Sequence, residues 1–133
     1  MNKLNHIGIA VNDLKKATDV YKTFLKDVEI EYEEVASQKV KVAILPLGES
    51  SLEFLEPTQD DSPIAKFLQK RGQGIHHMCI EVDDIEEALK SLEENGYRLI
   101  DKKPREGAMG MKVAFIHPKS TDGVLLELSQ KVE

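Results

Sequence analysis

Between His6 and Val11 the chain alternates with a period of two. Ile7, Ile9 and Val11 fall on one side of an extended strand, and His6, Gly8 and Ala10 on the other. The alternation returns later, with Met78, Ile80 and Val82 opposite His77, Cys79 and Glu81. One face of each strand is bulky and apolar and calls for a helix to cover it. The other carries a His followed mainly by small residues, as the floor of a cavity would. A helix is predicted after each strand. Asp13 caps one whose stripe is Leu14, Ala17, Tyr21, Phe24 and Leu25; Asp84 caps the other, with Ile85, Ala88, Leu89 and Leu92, and Asn95-Gly96 stops it.

Three further strands are predicted in each half. They lie near Glu29–Val35, Val40–Pro46 and Ser51–Glu56, with Leu47-Gly48-Glu49-Ser50 as the tight turn before the third. Their counterparts lie near Tyr97–Lys103, Lys112–His117 and Val124–Ser129. Between the halves, Ser62 and Pro63 open a short helix with Ile64, Phe67 and Leu68 on its apolar edge.

The halves are copies of one another. HIGIAVNDLKK from His6 matches HMCIEVDDIEE from His77 at an offset of 71, and Lys41-Val42-Ala43-Ile44 matches Lys112-Val113-Ala114-Phe115 at the same offset. Near the end of each half Leu52-Glu53-Phe54 matches Leu126-Glu127-Leu128, where the offset has grown by three, placing three extra residues in the last hairpin of the second copy. The expected architecture is therefore α+β: two tandem βαβββ modules in a single domain over residues 1–133, module one about 1–57, a connection 58–74 and module two about 75–133. One module cannot cover both faces of its own sheet. Two side by side make one curved mixed sheet around a trough, with the helices outside.

Composition narrows the function classes. Of the 133 residues 41% are hydrophobic and 32% charged, with a formal charge of −6, so the electrostatics do not favour a nucleic-acid partner. No apolar run approaches the ~20 residues of a membrane span. The single cysteine, Cys79, excludes an internal disulfide and reads as a small residue inside a strand of a soluble, cytoplasmic protein.

The chemistry concentrates on four side chains. Strand parity sends His6 and His77 to the face away from the bulky residues. Glu53 and Glu127 each leave their strand opposite two apolar neighbours, where a carboxylate is costly unless paired or ligating. Two imidazoles and two carboxylates in equivalent places of two copies make a divalent-metal site, suited to Zn²⁺, Co²⁺, Ni²⁺, Mn²⁺ or Fe²⁺ and open to further oxygen ligands. His76 should point away from that site, and His117 lies too far along its hairpin to join by symmetry. The acidic helix face at Glu86, Glu87, Glu93 and Glu94 reads as solvated surface. The Gly107, Met109 and Gly110 stretch reads either as a mobile loop that closes over the trough or as plain hairpin geometry.

The paired His…Glu modules resemble the vicinal oxygen chelate (glyoxalase/bleomycin resistance) superfamily. Within it, nearly the whole chain resembles the methylmalonyl-CoA epimerase family, on Asn5–Val11, Leu52–Pro57, Asp61–Ala65, Gly74–Met78, Pro104–Gly110 and His117–Ser120 followed by Gly123–Leu128. This resemblance implies an isomerase that epimerises (2R)/(2S)-methylmalonyl-CoA by removing the C2 proton through a metal-stabilised enolate. It implies His6, His77 and Glu127 as metal ligands, with Glu53 fourth, at a place where some relatives carry Gln. Co²⁺ or Zn²⁺ leads as the ion, ahead of Ni²⁺ or Mn²⁺. Glu127 and Glu53 stand as the acid/base pair, and Arg105 and Lys119 read either as contacts for the substrate carboxylate or the CoA phosphates or as solvated loop cations. Val42 stands where some members carry a catalytic Glu, so another carboxylate serves here or one base suffices. A homodimer with an acyl-CoA substrate is the expected assembly. Glyoxalase I and a metal-free small-molecule-binding protein of the same fold are the competing functions.

Overall fold

Residues 1–132 are described by the computed structural model, leaving Glu133 of the expected domain outside the described residues. In chain order the elements are β1 (Lys3–Ala10), α1 (Leu14–Phe24), β2 (Glu31–Val35), β3 (Val40–Leu47), β4 (Ser50–Pro57), α2 (Pro63–Arg71), β5 (Gly74–Glu81), α3 (Ile85–Glu94), β6 (Arg105–Glu106), β7 (Lys112–Ile116) and β8 (Leu126–Gln130). The strands are hydrogen-bonded in the order β2-β3-β4-β1-β5-β8-β7-β6. The fold is α+β and mixed, as expected: β5 and β8 run parallel, while β2–β3, β3–β4, β6–β7 and β7–β8 are antiparallel.

The helix signals in the sequence correspond to real caps. The Asp13 carboxylate accepts from Lys16 N–H, Ser62 Oγ from Ile64 N–H and Asp84 from Glu87 N–H, each satisfying an amide that has no partner inside the helix. Gly96 ends the second-half helix at φ +84°, a conformation that disfavours any residue with a Cβ.

Two compact units emerge, one of residues 7–76 and one of residues 1–6 with 77–133. The division does not follow the repeat: the first six residues belong with the second copy. In the 7–76 unit, β3 and β4 sort their side chains by parity. Ala43, Leu45 and Phe54 pack with Val11, Leu14 and Tyr21 of the α1 side, while Val40, Val42 and Leu55 pack with Ile64, Phe67 and Leu68 of α2. Val42 is therefore a core residue, and Glu53, opposite Ile44 in register, leaves β4 on the face away from Leu52 and Phe54.

In the other unit, Ile80, Leu126, Leu128, Ala114 and Ile116 pack under Ile85 and Leu89 of α3. Register puts Cys79, Glu127 and Phe115 side by side on the opposite face. Cys79 is fully buried, with its Sγ 3.2 Å from Ser129 Oγ, as befits a structural thiol.

One predicted strand is corrected. Tyr97–Lys103 forms no strand; it makes a single bridge, Leu99 to Ile116, and the second strand of that half is the two-residue β6. The cause is local. The Asp101 carboxylate accepts the Phe115 N–H at 2.9 Å, and the amides of Ile100 and Asp101 both donate to Phe115 O, so the ladder closes on itself instead of propagating. The Gly107–Gly110 stretch takes the hairpin geometry. It joins β6 to β7 with Gly107 N–H donating to Met111 O at 2.8 Å, and Gly107 packs so closely on Val113 that a Cβ there would lie 2.7 Å from a Val113 methyl. The extra residues of the last hairpin form the short 3₁₀ turn Pro118–Ser120 and the bend after it.

Phe54 is 2% exposed in its cluster. Truncation by Phe54→Ala should cost about 3–5 kcal/mol of unfolding free energy, read as a lowered midpoint in urea with an unchanged slope.

Candidate metal centre

The parity of β1, β5 and β8 brings His6, His77 and Glu127 together. Each is only 7% exposed. The two Nε2 atoms lie 3.0 Å apart, and Glu127 Oε1 lies 3.3 Å from His6 Nε2 and 3.1 Å from His77 Nε2. The imidazoles meet edge to face, with ring centroids 5.1 Å apart and planes at 90°, so their Nε2 atoms converge without the rings stacking. Among the described residues these three form a group able to hold a metal ion.

The spacing fits such an ion. With metal–donor bonds of about 2.0–2.2 Å, donors on adjacent octahedral corners sit about 2.8–3.1 Å apart, and on tetrahedral corners about 3.3–3.6 Å. The observed 3.0–3.3 Å spans that interval. The donor set is equally suitable, because neutral imidazole and carboxylate are ligands of Zn²⁺ and its neighbours.

Burial alone would raise the Glu127 pKa. The hydrogen bonds that the His6 and His77 rings give at Nε2 when charged, together with that charge, outweigh it and bring the carboxyl down to about 2. The group is an anion at neutral pH despite its burial.

Around the three donors lie residues that sequence reasoning did not assign. Asn5 Oδ1 is 2.7 Å from His6 Nδ1, and Asn5 Nδ2 donates to Glu81 Oε1 at 3.0 Å. The Phe115 ring meets His77 edge-on at 5.8 Å between centroids, and the Arg105 guanidinium lies 5.5 Å from the centre of the same ring. Asp101 stands 3.6 Å from Arg105 Nε. Parity was the available signal for Glu81, which follows His77 and Cys79 on one face of β5.

The remaining expected residues are placed as follows. Glu53 is half-buried on β4 in the 7–76 unit. Lys119 is exposed on the Pro118–Ser120 turn, where its amide donates to His117 Nδ1 at 3.1 Å. His76 packs its ring against Phe67, with centroids 4.9 Å apart. Glu86, Glu87, Glu93 and Glu94 are exposed on α3, as expected. No helix among the described residues is long and apolar enough to cross a membrane.

Comparison with known proteins adds an independent line. The model of the glyoxalase/bleomycin resistance protein/dioxygenase superfamily matches residues 5–115. A mitochondrial methylmalonyl-CoA epimerase of Homo sapiens is 43% identical over 131 residues, covering 98% of this chain and 74% of the human one. An uncharacterized Bacillus subtilis protein is 45% identical over 130 residues, covering 98% and 93%. A solved methylmalonyl-CoA epimerase in complex with methylmalonyl-CoA and NH4+ superimposes with a TM-score of 0.91 at 34% identity, covering 99% of this chain and 96% of that one.

The lowered Glu127 pKa carries a sign. A carboxyl whose folded pKa lies below its unfolded value stabilises the fold fully above about pH 4.5, and that stability is lost as pH falls toward 2. In metal-free protein the contribution is on the order of 3 kcal/mol. Glu127→Gln should flatten the stability profile across that window, measured by urea unfolding at a series of pH values.

Proposed function

Since the chain belongs to the glyoxalase/bleomycin resistance protein/dioxygenase superfamily, we propose that it epimerises methylmalonyl-CoA at C2, moving the proton at the His6–His77–Glu127 centre. The observation that carries this reading is the convergence of two imidazole nitrogens and one carboxylate oxygen within 3.0–3.3 Å in a buried site, in a chain alike over nearly its full length to proteins named for that reaction.

The C2 proton of the substrate lies between a thioester and a carboxylate, so its removal gives an enolate with charge spread onto oxygen. His6, His77 and Glu127 would hold a divalent ion, with Glu53 as fourth ligand by resemblance, and such an ion would supply Lewis-acid polarisation and stabilise that charge. By resemblance Co²⁺ or Zn²⁺ leads among the several divalent ions these donors accept. His6 and His77 orient the centre, and their burial excludes the water that would compete for it. Glu127 would accept the proton on one face of C2 and Glu53, protonated and loosened from the centre, would return one from the other, inverting C2; exchange with solvent then restores both carboxyls. A carboxylate held near pKa 2 is a weak base. Its action would therefore depend on an acidic C2–H, flanked by thioester and carboxylate, and on acting either while ligating or after loosening from the ion.

Arg105 is assigned to an anionic part of the substrate, its carboxylate or the CoA phosphates. Its guanidinium is steadied by Asp101 and the Phe115 ring, and that ring also touches His77. Lys119, free to swing on its exposed turn, takes the same assignment. By resemblance the protein is a homodimer, and its lone buried cysteine suits the cytoplasm.

Three measurements test this reading. Glu127→Gln should slow solvent deuterium entry at C2 of methylmalonyl-CoA by about 10²–10⁴-fold, and undiminished exchange removes Glu127 from the chemistry. Chelator treatment should abolish turnover and Co²⁺ should restore it; turnover on the methylglyoxal–glutathione hemithioacetal instead would assign the chain to the glyoxalase reaction. Arg105→Ala should raise KM by about tenfold with kcat little changed, as expected for loss of a binding contact felt equally in ground and transition states.

A further inference from the structure

We infer that Glu81, acting through Asn5, sets the tautomer of His6 and so holds the lone pair of its Nε2 toward the metal centre. Glu81 and Asn5 are positioning residues, and the inference rests on the reading of His6 as a metal ligand.

The logic follows from donors and acceptors. An ionised carboxylate only accepts, so the Asn5 atom 3.0 Å from Glu81 Oε1 must be the amide nitrogen. That fixes which way the Asn5 amide faces and leaves its carbonyl oxygen 2.7 Å from His6 Nδ1. A carbonyl oxygen also only accepts, so His6 Nδ1 must carry the hydrogen and donate it. In the neutral ring Nε2 is then the bare nitrogen, and Nε2 is the atom 3.0 Å from His77 Nε2 and 3.3 Å from Glu127 Oε1. One carboxylate thus governs, two bonds away, which nitrogen of His6 can ligate.

The repeat does not duplicate these two residues. At the offset of 71 the counterpart of Asn5 is His76, whose ring packs on Phe67, and the counterpart of Glu81 is Ala10, which is fully buried in an apolar cluster. The second copy supplies the Glu, the first supplies the Asn, and together they serve the His of the first copy. The ligands follow the duplication; their orientation on the His6 side does not.

The test uses the full-length metal-free protein labelled with ¹⁵N, at a pH well above the imidazole range, where long-range ¹H–¹⁵N correlations distinguish the two tautomers. The wild type should show His6 as Nδ1–H. Asn5→Ala should give a mixture or the Nε2–H form, and should weaken Zn²⁺ binding about 10–100-fold in competition with a chromophoric chelator. Glu81→Ala, which removes none of the three donors and does not touch His6 directly, should shift both readouts in the same direction. Glu81→Gln, whose carbonyl still accepts from Asn5, should restore them. The double variant Asn5→Ala/Glu81→Ala should be no weaker than Asn5→Ala alone, because the two act in series.

A His6 that keeps the Nδ1–H tautomer and wild-type affinity in Asn5→Ala overturns the inference, as do fully additive losses in the double variant. If the wild type binds no divalent ion, the proposed epimerase centre falls, and the tautomer readout alone then decides for or against the relay.

Discussion

A carboxylate buried between two imidazoles is the constraint on which the rest depends. Glu127 is 7% exposed and remains ionised, a state that would be heavily penalised without partners, and it faces the Nε2 atoms of His6 and His77, which compensate it through a shared cation or through their own charge when protonated. To meet that condition, β1, β5 and β8 must each present the correct parity to one face. The parallel register of β5 with β8 sets Cys79 beside Glu127, and the antiparallel register of β7 with β8 sets Phe115 on its other side. The alternate residues of the same strands then pack under α3. Core and centre are two faces of one hydrogen-bond ladder.

The duplication explains the donors and stops there. Equivalent strands in two copies offer equivalent His and Glu residues, which economically generates a multidentate site. The layer behind them has diverged: Asn5 and Glu81 orient His6, while Phe115 lies against His77 and links that ring to Arg105.

Much of this was legible in the chain because it is local. Period-two alternation placed His6, His77 and Glu127 on their faces, and Asp13, Ser62 and Asp84 announced the starts of all three helices. The failures have physical causes. Tyr97–Lys103 has strand-like composition, but the Asp101 side chain takes the Phe115 amide and ends the pairing, a competition that residue pattern does not reveal. The Glu81–Asn5–His6 chain joins positions 76 residues apart in sequence, so no motif holds it. Nor does the repeat boundary foretell that residues 1–6 belong with the second copy. The proposal of Glu53 as a fourth ligand rests on resemblance and on the parity of β4.

The claim at the centre is that His6, His77 and Glu127 hold one divalent ion. Titrating stripped protein with Co²⁺ and following its visible d–d bands tests that directly. One equivalent should bind per chain, with bands of a mixed nitrogen–oxygen site that disappear in His77→Ala. An absence of stoichiometric bands in the wild type, or bands unchanged in His77→Ala, would contradict the account.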